Sequence, residues 1–346
     1  MVKKVVQCNN LKGIRCITYL FNLLGGVFLK KQVYIQVYRI LAMFSIVICH
    51  ICEESSISII SKLGQVFNVG VFCFLFISGF LHYGKTVNNY FSWVIKKCKK
   101  IIIPMYLFLI FLFTVNIINN DFSLLSIPIY FFNLQYYLGY TTGGGHLWFL
   151  TVIMICYIFF PLFQKIEKKI SIFYILILIL VLGTISSYLS SKIGLTIMCL
   201  FSFFIGYAIK KYEKKINITI TGSLGLILFS ILFRATMIYY FDDTPIYNIV
   251  FFTISHLLLG IGTFFLIKNL FENLKENAII NHLDSLSMYI YIVHNPFISK
   301  PFELIKRSDN FIFGIALCLA FTYFGALLLR KIENKFLSIK EEVIKK

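Results

Sequence analysis

The sequence predicts an all-α fold, a polytopic integral membrane bundle of about ten transmembrane helices with the N-terminus and C-terminus both cytoplasmic. Three observations predict it. Of 346 residues, 59% are hydrophobic and 14% charged, where a soluble domain carries about 25% charged residues, and the mean hydropathy is +0.83. Apolar runs near the length needed to cross a bilayer recur from one end of the chain to the other. Of the 33 Lys and Arg, 26 fall in alternate connections, at 1–33, 84–100, 164–169, 210–215, 268–277 and 330–346. That alternation is the positive-inside pattern. It accounts for the net charge of +18 without a nucleic-acid partner, because no basic surface interleaved with aromatics lies outside these clusters.

The elements follow in order. Residues 1–33 form a lead in which ITYLFNLLGGVFL follows a basic start; Lys30 and Lys31 close it with no A-x-A-like cleavage site, so it reads as a short interfacial helix on the cytoplasmic side. The transmembrane domain occupies 34–332. Its first span contains RILAMFSIVICHIC, and its second, 66–83, reads VFNVGVFCFLFISGFLHY. The third, 101–118, opens IIIPMY, with Pro104 in a first turn that tolerates it. Between Asn119 and Gly145 the apolar centre is about a dozen residues, short for a 30 Å layer, and reads as an external or re-entrant segment. The fourth span begins at HLWFLTV; the fifth and sixth are divided by a short SSK turn. The seventh, 216–239, carries Arg234, expected to reach the interface and pair with Asp242 or Asp243. The eighth is 246–267, the ninth contains SLSMYIYIVHNPF, and the tenth is 311–329. Residues 333–346 form a basic cytoplasmic tail, read as a short amphipathic helix.

Candidate chemistry concentrates in the first span. Arg39 and His50 are eleven residues apart, which on an α-helix returns to within about 20° of the starting direction and separates them by roughly 16 Å along the axis. An arginine and a histidine on one stripe of an embedded helix are costly unless the stripe faces protein or water. The stripe is therefore expected to line a channel, with an anion at the arginine end and chemistry at the histidine. Histidine suits proton transfer because its ordinary pKa lies near neutrality. Glu53 and Glu54 follow three and four residues on, within reach on the same side. Either can hold the imidazole tautomer, as carboxylates do in many acid–base sites, and both read equally as solvated loop acids. The candidate catalytic set is His50, Arg39 and Glu54. Lys97 and Lys100, with Lys96 and Lys99, make a basic collar suited to an anionic nucleotide, so Lys97, Lys100 and Arg39 are the candidate donor-binding residues. The nine cysteines form no paired framework. Cys49 and Cys52 flank His50 as C-x-x-C, but no second pair of ligands stands at zinc spacing, and no metal is expected.

Five motifs in chain order carry a resemblance. They are the R-x10-H of Arg39 and His50, the GVFCFLFISGF stretch with Ser78 and Gly79, and the K-x-x-K-I-I-I-P block. They continue with HLWFLTVIMICYIFFP, which opens at His146 and Trp148, and with the late S-x-Y-x-Y-x-x-H-x-P of Ser287, Tyr289, Tyr291, His294 and Pro296. Together they resemble the membrane acyltransferase family 3. The resemblance implies O-acylation, usually O-acetylation, of an extracytoplasmic or lipid-linked glycan by an enzyme of the bacterial cytoplasmic membrane, with cytoplasmic acyl-CoA (acetyl-CoA) as donor substrate and no metal. It places His50 at the family's catalytic histidine and Arg39 at its first-span arginine. Trp148, His146, Tyr289, Tyr291 and His294 are assigned by it to an acceptor or structural site. Where the family often has Arg-x-x-Arg this chain has Lys97 and Lys100, which keep the charge and lose the bidentate fork. Two alternatives stay open: a covalent route through Cys49, Cys52 or His50, and a glycan-export subunit of the same fold without transferase activity.

Overall fold

The computed structural model describes residues 32–345 apart from 56–57 and 242–243. The interfacial helix expected in 1–31 and the aspartates expected beside Arg234 lie outside the described residues. The regular structure among those described is all helical, with no strand.

Eight helices are long and apolar enough to cross a membrane. They comprise α1 (Val33–Glu53), α4 (Tyr90–Ile118), α7 (Trp148–Glu167) with the 3₁₀ turn Gly145–Leu147 before it, α8 (Ile172–Leu189), α9 (Ser191–Lys211), α10 (Ile220–Phe241), α11 (Phe252–Phe271) with the π turn Ile246–Phe251 before it, and α14 (Phe311–Lys345). The expected count was about ten. The second and ninth apolar runs do form helices, but short ones. The second breaks at Asn68 into α2 (Ser58–Phe67) and α3 (Val69–Phe80), and the ninth, α12 (Ala278–Val293), has 16 residues. A helix rises only 1.5 Å per residue, so neither reaches the roughly 20 residues of a full crossing by itself.

Other boundaries also move. The third span begins at Tyr90, where the Asn89 side chain accepts from the Ser92 amide at 2.9 Å, a standard N-cap. Pro104 therefore lies inside the helix, where it removes one backbone bond, and not in the first turn. The basic tail continues α14 without a break. Residues 119–145 contain only the short helices α5 (Ser126–Phe131) and α6 (Gln135–Leu138). They are tied down by buried Asn116, which donates to Thr141 Oγ1 and the Thr142 carbonyl at 3.0 Å.

The centre of the bundle is α3, packed on α1, α9 and α11. Leu75 and Phe76 on it are wholly buried. Lipid tails are as apolar as leucine, so helices in a bilayer associate through close backbone approach, which small residues permit. A Cβ on Gly79 would run into the carbonyl of Phe203, and one on Gly206 into the carbonyl of Phe76. This reciprocal pair sets the α3–α9 crossing. At the periphery, α10 is the least covered helix, with 6% of its membrane-length window buried, and it rests on α11.

Candidate active site

The C-terminal end of α1 holds His50. Its Nδ1 lies 3.0 Å from Glu53 Oε2, and Cys49 Sγ donates to Glu53 Oε1 at 3.5 Å. An ionised carboxylate only accepts, so Nδ1 carries the proton and Nε2 is left as the basic nitrogen. Both side chains keep access to open space, with 30% and 46% of their surface exposed. Glu53, not Glu54, is thus the acid that holds the imidazole. Glu53 is the last residue of α1, while Glu54 stands just past the helix and pairs with Lys306, raising that ammonium above its usual lysine value through the hydrogen bond and the charge.

Two further histidines stand behind it. The His294 ring centroid is 5.3 Å from that of His50, and the His146 centroid 4.8 Å from that of His294. Both are buried. His294 Nδ1 donates to the Tyr291 carbonyl at 2.6 Å, which leaves its buried Nε2 without a partner. His146 Nε2 donates to the Ile292 carbonyl at 2.8 Å, and the Tyr291 hydroxyl donates to the His146 carbonyl. The 3₁₀ turn before α7 and the end of α12 are in this way locked together around His50. The remaining two residues of that predicted group go elsewhere. Tyr289 donates to buried Glu333 on α14 at 2.8 Å, and Trp148 packs on Tyr136 of α6, their rings 5.3 Å apart.

At the other end of the stripe, Arg39 Nη2 donates to Asp284 Oδ2 at 2.6 Å. Gln36 donates to Asn281 at 2.8 Å and to Asp284 at 3.3 Å. Three buried atoms in this cluster, Gln36 Oε1, Arg39 Nε and Asp284 Oδ1, have no partner. On α7, the Tyr157 hydroxyl is 3.1 Å from Ser78 Oγ. Lys97 lies over Trp93 and Tyr157, 5.5 and 5.8 Å from their centroids, whereas Lys100 is exposed. Of the two collar lysines, Lys97 turns toward α7.

The stripe between the two ends is packed. Met43 and Ile46, which share the face of Arg39 and His50, are 0% and 3% exposed. The channel expected along this face is closed here by those side chains, since apolar residues between two polar ones are most stably accommodated against their neighbours.

Open space lies beside Glu53, the partner of His50, instead. A cavity of about 810 Å³ is bounded by Glu53, by Gln65 and Asn68 around the α2–α3 junction, by Arg234 on α10 and by Phe252 and His256 on α11. Arg234 Nη1 donates to the Gln65 carbonyl at 2.8 Å and to His256 Nε2 at 3.0 Å. Its Nη2 donates to Gln65 Oε1 at 3.3 Å. Sequence reasoning missed Asp284 and His256. The available signal was the one that singled out Arg39, an ionisable side chain inside an apolar helix. It could not say which partner each would meet.

These features define a class: a polytopic helical membrane protein with a histidine–carboxylate pair whose carboxylate borders a cavity, and an arginine–aspartate cluster farther along the same helix. The model of the acyltransferase domain of the acyltransferase 3 type matches residues 32–331, and the chain belongs to that family. Comparison with curated proteins and with solved structures found no match.

Proposed function

We propose that the chain is an O-acyltransferase of the bacterial cytoplasmic membrane, an O-acetyltransferase that moves the acyl group of cytoplasmic acyl-CoA to a hydroxyl of an extracytoplasmic or lipid-linked glycan. The observation that carries the reading is the His50–Glu53 pair, whose carboxylate borders the cavity, in a chain of the acyltransferase family. Its topology has ten crossings, α3 and α12 acting as short spans, so that Arg39 lies toward the cytoplasm and His50 toward the outside.

In this mechanism Glu53 fixes the Nδ1–H tautomer, and His50 Nε2 takes the proton of the acceptor hydroxyl as its oxygen attacks the thioester carbonyl. The tetrahedral intermediate then expels the coenzyme A sulfur, which recovers the proton from the imidazolium. One C–O bond forms, one C–S bond breaks, and no covalent acyl-protein is needed. Arg39, roughly 16 Å away along the helix, is too distant to stabilise the oxyanion at His50 and serves the phosphate-bearing part of the donor, with Asp284 orienting its guanidinium. Lys97 adds positive charge at that end.

His50→Ala tests the reading. It should abolish ester formation on the surface polymer, measured by NMR of the isolated glycan, while the amount of membrane protein and of exported polymer stays unchanged. Normal ester content in the variant would end the proposal, and intact esters with loss of exported polymer would indicate export in its place.

A further inference from the structure

The cavity bordered by Glu53, the partner of His50, contains a cation that the acyl-transfer mechanism does not use. Its volume of about 810 Å³ falls within the roughly 300–1,000 Å³ of small-molecule sites. Its walls mix apolar surface, including Phe252 and Leu259, with polar groups such as Gln65 and Asn68. Arg234 is held there by three hydrogen bonds, all to neutral acceptors, and stands 5.4 Å over the Phe252 ring. No carboxylate among the described residues pairs with it. His256 is committed to its support: His256 Nδ1 donates to the Phe252 carbonyl at 2.7 Å, which leaves Nε2 as the acceptor that meets Arg234. A guanidinium in an apolar helix is costly, and this one is fixed toward a cavity by a buried histidine. A pre-oriented guanidinium recognises carboxylate and phosphate oxygens through charge-assisted hydrogen bonds.

We propose that this cavity is the acceptor site and that Arg234 binds an anionic group on the acceptor, a sugar carboxylate or a phosphodiester. The inference rests on the acyltransferase reading. Glu53 bounds the same cavity and is the partner of His50, so the two charges orient the acceptor: its anionic group is drawn to Arg234 and repelled from Glu53, which leaves an uncharged hydroxyl to face the imidazole. The glycan is then not a neutral polymer, and the ester is carried on or beside its charged residue.

The test uses the full-length protein in nanodiscs, radiolabelled acetyl-CoA, and the unacylated surface polymer from cells lacking the protein. Arg234→Gln should raise the acceptor KM about tenfold or more, the loss of one charged hydrogen bond, with kcat and the KM for acetyl-CoA little changed. Arg234→Lys should recover most of the loss. Polymer with its carboxylates reduced to alcohols, or with its phosphates removed, should be a poor substrate for the wild type and no worse for Arg234→Gln; the treatment that has the effect identifies the anion. An unchanged acceptor KM in Arg234→Gln, or equal wild-type transfer to polymer stripped of both groups, overturns the inference and leaves the acyltransferase reading standing. Absence of any wild-type transfer to the untreated polymer overturns both. The polymer arms need no variant, so they decide the matter even if Arg234→Gln does not fold.

Discussion

His50 and its two neighbouring acids show how one residue of spacing sets a role. Both lie within reach on the helix, but α1 ends at Glu53, which stays against the imidazole, and Glu54 turns to Lys306. The expected consequence is asymmetric. Glu53→Gln should lower acyl transfer about ten- to a hundredfold, the usual effect of removing the group that orients a functional histidine, whereas Glu54→Gln should leave it near the wild-type rate. Initial rates with radiolabelled acetyl-CoA at matched protein amounts distinguish the two. Equal losses would mean that the tautomer is held in some other way. Arg39 carries a similar lesson: its guanidinium is already bonded to Asp284, a pre-oriented fork and not a free charge.

At the scale of elements, two packing features carry consequences. The α3–α9 contact depends on Gly79 and Gly206, each facing a carbonyl of the other helix. Gly206→Ala forces the backbones apart and should destabilise the protein by about 1–3 kcal/mol, the usual cost of overpacking, read as a lowered unfolding temperature in detergent. The second is the closed stripe of α1. A thioester arm that passes from Arg39 toward His50 must displace Met43, a flexible side chain well suited to moving aside. Met43→Trp should therefore slow transfer about tenfold or more while Met43→Leu has little effect, with unfolding temperature used to separate blockage from misfolding. Unimpaired transfer in the tryptophan variant would show that the donor takes a different path.

For the molecule as a whole, the proposed ten-crossing topology makes a direct claim about sidedness. With single cysteines in a cysteine-free background, Lys306→Cys should react in intact cells with a membrane-impermeant maleimide, and Lys100→Cys only after the membrane is opened. Labelling of both from outside would break the even count and, with it, the assignment of donor and acceptor to opposite faces. Eight helices satisfy length and hydropathy alone. The two short helices that the proposed topology adds, α3 and α12, both pack on α1, and α12 brings Asp284 and, just past its last residue, His294 to it. Their shortness fits a position inside the bundle, where protein and not lipid surrounds the ends.

The chain's own order of residues was enough to determine the helical class, the alternation of basic connections, the shared face of Arg39 and His50, and the five motifs of the acyltransferase family. Each of these depends on local spacing or on composition, and such properties are written along the chain. Tertiary structure alone decided that Glu53 serves His50, that Asp284 takes Arg39, that Met43 and Ile46 close the stripe, and that Gln65 and His256 hold Arg234 toward a cavity. The Arg39–Asp284 bond joins residues 245 positions apart and the Arg234–Gln65 bond residues 169 apart. No periodicity encodes which distant helix a polar side chain will meet; that is fixed only when the backbones have packed and every buried donor must find an acceptor.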